Sequence, residues 1–228
     1  MRLRKWEELP KRMRTEAVRP YYEILAKKKN SLLAKRAFDV VVASIMFMIL
    51  LPVMIAIAVM ICLDSKGGLF FLQERVTTYG KTFKIVKFRT MVKDADKKGT
   101  AVTVSGDMRV TKIGKTLRKY RLDELPQLIN IITGDMSFVG TRPEVVKYVN
   151  KYSKEMYATF LLPAGVTSEA SIEYKDEEKL ISEAKDADKV YVEAVLPEKM
   201  KYNLESIKNF SFWSEIGTMV KTVIAVLK

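Results

Sequence analysis

From Val40 to Leu63 the chain runs for 24 residues, VVVASIMFMILLPVMIAIAVMICL, without one charged side chain. A straight helix of that length extends about 36 Å, enough to cross a hydrocarbon core of about 30 Å. Core helices of globular domains seldom stay apolar on every face for so long. A cleaved signal sequence is shorter, starts earlier and ends in small residues. Residues 35–64 are therefore read as a membrane element. Pro52 lies at its midpoint, where it removes a backbone hydrogen bond and bends a helix. The flanks are both basic. Residues 1–36 carry a net +8 and residues 65–228 a net +7, against −2 for residues 37–64. The positive-inside tendency puts both flanks in the cytoplasm, which a straight span cannot do. The expectation is a re-entrant element, helix-break-helix at Pro52, with a simple span as the alternative.

The remaining composition narrows the chemistry. The net charge of +13 seeks a polyanion: nucleic acid, anionic lipid or a phosphorylated substrate. There is no histidine, so the commonest general base and metal ligand is missing. The single cysteine, Cys62, lies inside the apolar run and permits no intrachain disulfide. Catalysis must rest on carboxylates, lysines, arginines, hydroxyls or a hard metal held by oxygens.

Three regions follow. Residues 1–34 mix Trp6, Leu9, Tyr21, Tyr22, Ile24 and Leu25 with many Lys and Arg. They suit either a helix on a headgroup surface or a basic tail. Residues 35–64 are the membrane element. Residues 65–228 read as one compact unit, with strands over 69–75 and 82–89 joined by a turn at Tyr79-Gly80. A loop follows over 93–107, and helices are expected over 111–120 and 123–133, the latter ended by Gly134. Residues 143–160 and 176–210 are mostly helical by pattern, and an amphipathic helix runs from Phe212 to Leu227. The fold class is α+β, mostly helical: a small strand hairpin plus helices on an N-terminal re-entrant membrane element.

Three stretches can carry chemistry. Asp123-Glu124 sits at an expected helix start, where acids ordinarily just stabilise their own first turn and where free N–H groups favour a phosphate. Arg118, Lys119 and Arg121 lie just before it. In Gly134 to Glu144, Arg142 precedes a proline, which favours extended backbone and a fixed guanidinium able to fork onto phosphate. In Lys84 to Met91, strand alternation puts Lys87 and Arg89 on one face. The string Ile113-Gly114-Lys115-Thr116 mimics the end of a P-loop, but Arg109 stands where that loop needs its first glycine.

Taken in order, these stretches resemble the monotopic polyprenyl-phosphate phosphoglycosyltransferases, the bacterial sugar transferases, over roughly residues 34–228. The motifs are Lys35-Arg36-x-x-Asp39, Phe71-x-Gln73-x-Arg75, Lys87-Phe88-Arg89-Thr90-Met91, Thr103 with Asp107-Met108-Arg109, Leu122 to Gln127, and Gly134 to Pro143. The resemblance implies transfer of a sugar phosphate from a UDP-sugar to undecaprenyl phosphate, with UMP released through a covalent aspartate intermediate. It makes Asp123 the nucleophile and Glu124 the Mg²⁺ ligand, with a possible part in deprotonation. It makes Arg142 a phosphate-holding group, with Lys87, Arg89 and Arg118 as further candidates. Asp188, in Asp188-Lys189-Val190-Tyr191, matches an Asp-x-x-Tyr pattern of the family. It also implies the bacterial inner membrane, with the catalytic domain in the cytoplasm and anionic lipids as surroundings. This sequence departs from the pattern at Leu51-Pro52, where the family has Ser-Pro. It departs again at Thr141, for a proline, and at Gly165 to Glu169, for Gly-x-Thr-Gly.

Two other classes compete. One is an inactive membrane scaffold of a polysaccharide assembly complex, against which the intact Asp123-Glu124 pair speaks. The other is a membrane-anchored nucleic-acid binder, but no recognisable motif or recognition helix is present, so no nucleic-acid partner is expected.

Overall fold

The computed structural model describes residues 1–93, 95, 107–174 and 187–227. Most of the expected loop over 93–107 and the start of the helical stretch after 176 therefore lie outside the described residues.

The N-terminal segment is part of the core. After a short 3-10 turn, α1 (Arg19–Ala26) begins with a proline in its first turn, where the missing N–H costs nothing. Leu9, Met13, Val18, Tyr21 and Leu25 are buried against Tyr148, Phe160, Leu161, Leu196 and Phe210. Tyr21 donates from its hydroxyl to Glu155 at 2.6 Å. The apolar residues of 1–28 thus face the domain interior, and the exposed Lys11, Arg12 and Arg14 lie outside.

The apolar run forms one helix, α2 (Lys29–Asp64), with Pro52 inside it. The helix continues without interruption through Pro52. Only one stripe of α2 meets the domain. Leu32, Lys35, Asp39 and Ala43 are buried on the first half, and Met54, Ile57 and Ile61 on the second. On the other side Met48, Ile49, Ile55 and Leu63 stand exposed, Leu63 at 82%. Both ends are fastened to the same domain. Lys35 donates to the Val139 carbonyl at 2.7 Å, and Arg36 to the carbonyls of Ile131 and Ile132 at 2.6 and 2.8 Å. Asp39 accepts the N–H of Phe138 at 3.2 Å. At the far end Asp64 accepts the N–H of Ile113, and Arg89 donates to the carbonyls of Ile61 and Ser65.

β1 (Phe70–Val76) and β2 (Thr82–Phe88) form the expected antiparallel hairpin, with Phe70 opposite Phe88 and Val76 opposite Thr82. The inner face of β2, with Phe83 and Ile85 buried, packs on α2 and α4. Next come α3 (Lys112–Lys119), capped by the Thr111 hydroxyl on the Gly114 N–H, and a 3-10 turn, Leu122–Glu124. α4 (Gln127–Thr133) is shorter than the sequence pattern suggests, because Pro126 stands just before it. It ends at Gly134 as expected, in left-handed backbone at φ 93°.

A second sheet was not visible in the hydropathy. β3 (Met136–Val139) pairs in parallel with β4 (Ala164–Thr167). Gly140 and Gly165 make the close approach possible: a Cβ on Gly165 would stand 2.2 Å from the Gly140 nitrogen. Between them lie the single turn α5 (Val146–Val149) and a 3-10 stretch, Met156–Leu161, far less helix than expected over 143–160. The chain closes with α6 (Glu169–Glu173), α7 (Ala187–Val190), a π-helical turn Tyr191–Val195, α8 (Leu196–Lys208) and α9 (Phe212–Leu227). α9 is the expected amphipathic helix, and its Phe212 ring packs edge-on to Phe38 of α2 at 5.7 Å.

Leu25→Ala should lower unfolding free energy by about 3 kcal/mol, the cost of a buried leucine truncated to leave a cavity. Urea unfolding in detergent reads it. A change under about 0.5 kcal/mol, the range of ordinary surface substitutions, would mean that α1 does not belong to the core.

Candidate functional site

Asp123 and Glu124 lie on the 3-10 turn between α3 and α4, not in the first turn of a longer helix. Arg121, just before the turn, is held in left-handed backbone at φ 53°, a conformation costly for a side chain with a Cβ. It reverses the chain sharply after α3 and so turns the two acids inward: Asp123 is 9% exposed, and the Glu124 side chain 11%.

Glu124 is the centre of the charge arrangement. Lys87, from β2, donates to its Oε1 at 2.7 Å, and Arg142 to the same oxygen at 2.9 Å. Burial alone would raise the carboxyl, but Arg142 and Lys87 outweigh it and hold Glu124 well below the usual carboxylate range. Burial pulls the Lys87 ammonium down, opposed by Glu124. Two cations on one carboxylate favour an ionised Glu124. Asp123 moves the other way. Its burial raises it above 3.8, the Lys87 and Arg118 charges oppose this, and the Glu124 charge adds to it.

Local structure explains how these residues meet. Asn130 of α4 accepts the Val86 N–H at 3.0 Å and donates to the Lys84 carbonyl at 2.9 Å. This fixes α4, and the acidic turn before it, against the strand that carries Lys87. Arg142 sits after β3 and before Pro143. Arg75 of β1 donates to the Pro143 carbonyl at 3.1 Å, and the Val76 N–H bonds the Glu144 carbonyl. Neither Asn130 nor Arg75 was assigned a role from the sequence. The signal for Asn130 was an amide set among the apolar Leu128, Ile129, Ile131 and Ile132 of α4, and that for Arg75 was its place in the Phe-x-Gln-x-Arg strand.

The other expected residues divide. Arg118 donates to the Thr90 hydroxyl at 2.9 Å and stays close enough to Asp123 for its charge to oppose the rise that burial causes there. Arg89 parts from Lys87 at the end of β2. Its guanidinium is buried and donates to the carbonyls of Ile61 and Ser65 and to the Ser65 hydroxyl, at 3.3, 2.7 and 3.0 Å. In this position it caps the C-terminal end of α2, where free carbonyls and the helix dipole favour a cation. Asp188 pairs with Lys147 and Tyr148 around α5, and these partners hold it below its ordinary value. Pro52 lies in the middle of α2, away from all of these contacts.

Among the described residues no cluster of three or more potential metal-binding acids, cysteines or histidines occurs. The described residues thus offer no dedicated cage. The Asp123-Glu124 pair does suit Mg²⁺, which is commonly held by one or two carboxylates together with substrate phosphates.

The family model for bacterial sugar transferases matches residues 30–228. An Aeromonas hydrophila UDP-N-acetylgalactosamine-undecaprenyl-phosphate N-acetylgalactosaminephosphotransferase is 36% identical over 197 residues, covering 85% of this chain and 43% of that protein. The Escherichia coli (strain K12) UDP-glucose:undecaprenyl-phosphate glucose-1-phosphate transferase is 35% identical over 209 residues, covering 90% of this chain and 42% of that protein. A putative undecaprenyl-phosphate N-acetylgalactosaminyl 1-phosphate transferase of Bacillus subtilis (strain 168) is 40% identical over 135 residues, covering 59% and 75%. The chain thus spans under half the length of two of these relatives, and their names differ in the sugar.

Glu124→Gln should cost about 2 kcal/mol of stability at pH 7, the scale of hydrogen bonds to a charged group. Because folding depresses the Glu124 pKa, its contribution is complete above its unfolded value near 4.5 and is lost as pH falls below it. Denaturant titrations should show the gap between wild type and Glu124→Gln closing as pH falls below that value. An unchanged gap would rule out the ionised triad.

Proposed function

The chain belongs to the bacterial sugar transferase family, and we propose that it transfers a sugar-1-phosphate from a UDP-sugar to undecaprenyl phosphate, an early membrane step of surface glycan assembly. The observation that carries the reading is the opposite treatment of two adjacent carboxylates: Glu124 held ionised by Lys87 and Arg142, Asp123 buried and raised beside them.

The division of labour follows. A carboxylate oxygen of Asp123 attacks the β-phosphorus of the donor, and the bond from that phosphorus to the bridging oxygen breaks, releasing UMP. A phosphate oxygen of the polyprenyl acceptor then attacks the same phosphorus and frees Asp123. No proton need be added or removed in either step, which suits a chain without histidine. Arg142, Lys87 and Arg118 surround the acids with positive charge, so that an anionic nucleophile can approach an anionic diphosphate. Arg75, by holding the Pro143 carbonyl, keeps Arg142 in place. Asp123 and Glu124 would hold Mg²⁺, which when bound neutralises part of the diphosphate charge.

The membrane reading rests on α2. Both of its ends bond the same domain, and the stripe between them packs on that domain while the opposite stripe is bare and apolar. This favours an element that enters the cytoplasmic leaflet and returns, bending about Pro52, over one that crosses. The catalytic domain then stays in the cytoplasm, at the depth of the acceptor's phosphate. The exposed cations of residues 1–36 would meet anionic headgroups.

Three measurements test the proposal. UMP release from a panel of UDP-sugars with undecaprenyl phosphate and Mg²⁺ should occur in wild type and fall at least about 10³-fold in Asp123→Asn, as expected for loss of a covalent nucleophile. Release in neither protein would leave an inactive scaffold as the better reading, and equal release would remove Asp123 as nucleophile. The rate should rise with pH as Asp123 deprotonates, with its midpoint above 3.8. Lys87→Met, which deletes the first of the cations that favour the charged form, should move that midpoint to higher pH. For topology, cysteines placed at Lys5 and Lys115 in a Cys62→Ser background should label from the same face, and labelling from opposite faces would replace re-entry with a span.

A further inference from the structure

A cleft of about 140 Å³ lies beyond the carboxyl ends of the parallel strands β3 and β4, between them and the helices α8 and α9. Ligands of α/β sheets commonly bind outside the carboxyl ends of parallel strands. The volume matches an engineered cavity of about 150 Å³ that accepts a benzene ring, so one six-membered ring is the natural occupant. Thr141 lines the cleft, and Arg142 is the next residue.

The walls define the ligand's chemistry. Asn203 is 5% exposed, and the amide's recorded contact is a weak one, from its Nδ2 to the Met200 sulfur at 3.9 Å. The hydroxyls of Thr159, Ser206 and Thr218 donate their protons to backbone carbonyls at 2.8, 2.9 and 3.2 Å. Their lone pairs remain as acceptors. Three carboxylates also line the cleft, and each has a lysine partner: Glu215 with Lys35, Glu169 with Lys221, and Glu205 with Lys208. The lining thus has acceptors and two amides, Asn203 and Asn209, the second of which donates to Glu205 at 2.8 Å, but no unbalanced charge. Val139, Leu162 and Ile207 supply an apolar part. A neutral ring with several hydroxyl donors and one C–H face satisfies all of these walls, whereas a phosphate would meet three carboxylates.

We propose that this cleft binds the hexose ring of the donor, with Asn203 as its buried hydrogen-bonding anchor. Only the source of the ring, a nucleotide sugar whose diphosphate lies at Arg142, rests on the function proposed above; the fit of a hexopyranose does not. The residue-by-residue polarity of the cleft then sets which sugar is taken.

Saturation-transfer NMR on the full chain in detergent, with methyl glycosides of glucose, galactose, N-acetylglucosamine and N-acetylgalactosamine, tests the cleft directly. At least one should give transfer, and Asn203→Leu and Thr218→Val should each reduce it at least 5-fold. No transfer from any sugar, or transfer unchanged in both folded variants, overturns the proposal. Titration with UDP reads the donor reading separately. UDP should bind wild type and Asn203→Leu equally and Arg142→Ala more weakly. If UDP fails to bind while a hexoside binds through Asn203, the donor reading falls and the cleft stands. If UDP binds and no hexoside does, the reverse holds.

Discussion

The structure depends on how a helix too apolar for water is fastened to a charged domain. Lys35, Arg36 and Asp39 spend their charges on backbone groups of β3 and of the end of α4, deep in the interface. Lys35 and Asp39 are buried, and Lys35 also pairs with Glu215 of α9. A buried charge is tolerated only when it is paired or hydrogen-bonded, and these partners exist only when α2, α4, β3 and α9 have come together. The Lys35-Arg36-x-x-Asp39 stretch is therefore a lock: it sets the register between the apolar helix α2 and the elements that follow the acidic turn. Arg89 and Asp64 make the equivalent fastening at the other end.

The lock has a consequence for the site. α4 is tied to α2 by Arg36 and to β2 by Asn130, so the turn carrying Asp123 and Glu124 is referenced to the membrane element and to the Lys87 strand at once. β3 is tied to α2 by Lys35 and Asp39, and Arg142 follows directly after β3. Glu124, Lys87 and Arg142 thus come from parts of the chain that each hold to the same helix. This network fixes the acidic turn and the cations around it relative to the apolar helix through the protein's own hydrogen bonds.

How much of this the sequence made legible follows physical lines. The apolar run, the hairpin of β1 and β2, α3, the Gly134 stop and α9 are all written in local pattern, and all are present. The parallel pair β3 and β4 was missed because each strand is four residues long and their pairing is non-local; its only local trace is the two glycines that let the backbones touch. Less helix forms over 143–160 than expected, and Tyr148, Tyr152 and Phe160 share one core cluster with the N-terminal segment, which composition alone could not distinguish from a surface helix or a tail. In the site, Lys87, Arg142 and Glu124 were legible by charge type and motif order, and the structure brings them together. Alternation placed Arg89 beside Lys87, but alternation ends with the strand, and the free carbonyls of α2 attract the guanidinium instead.

The separation of the two acids explains why the pair can differ in role while adjacent in sequence. Both are buried, and burial opposes charge on both. Only Glu124 has two cations in direct contact, so it remains an anion and its charge is offset where it stands. Asp123 receives the same cations at longer range and the Glu124 charge as a penalty. Its carboxylate is therefore the less stabilised of the two, and it gains most by bonding to something that takes its charge away. The attack on phosphorus proposed for Asp123 would do so, because the negative charge would pass from the carboxylate to the phosphoryl oxygens and the leaving group. Environments that push neighbouring carboxyl groups apart are a common way for proteins to assign distinct tasks to chemically similar residues. Here the assignment depends on Glu124 occupying the cations first. Exchanging the two residues, as Asp123→Glu with Glu124→Asp, would keep composition and charge but shorten the reach of the group that must hold Lys87 and Arg142, and the asymmetry on which the proposed role of Asp123 rests would be lost.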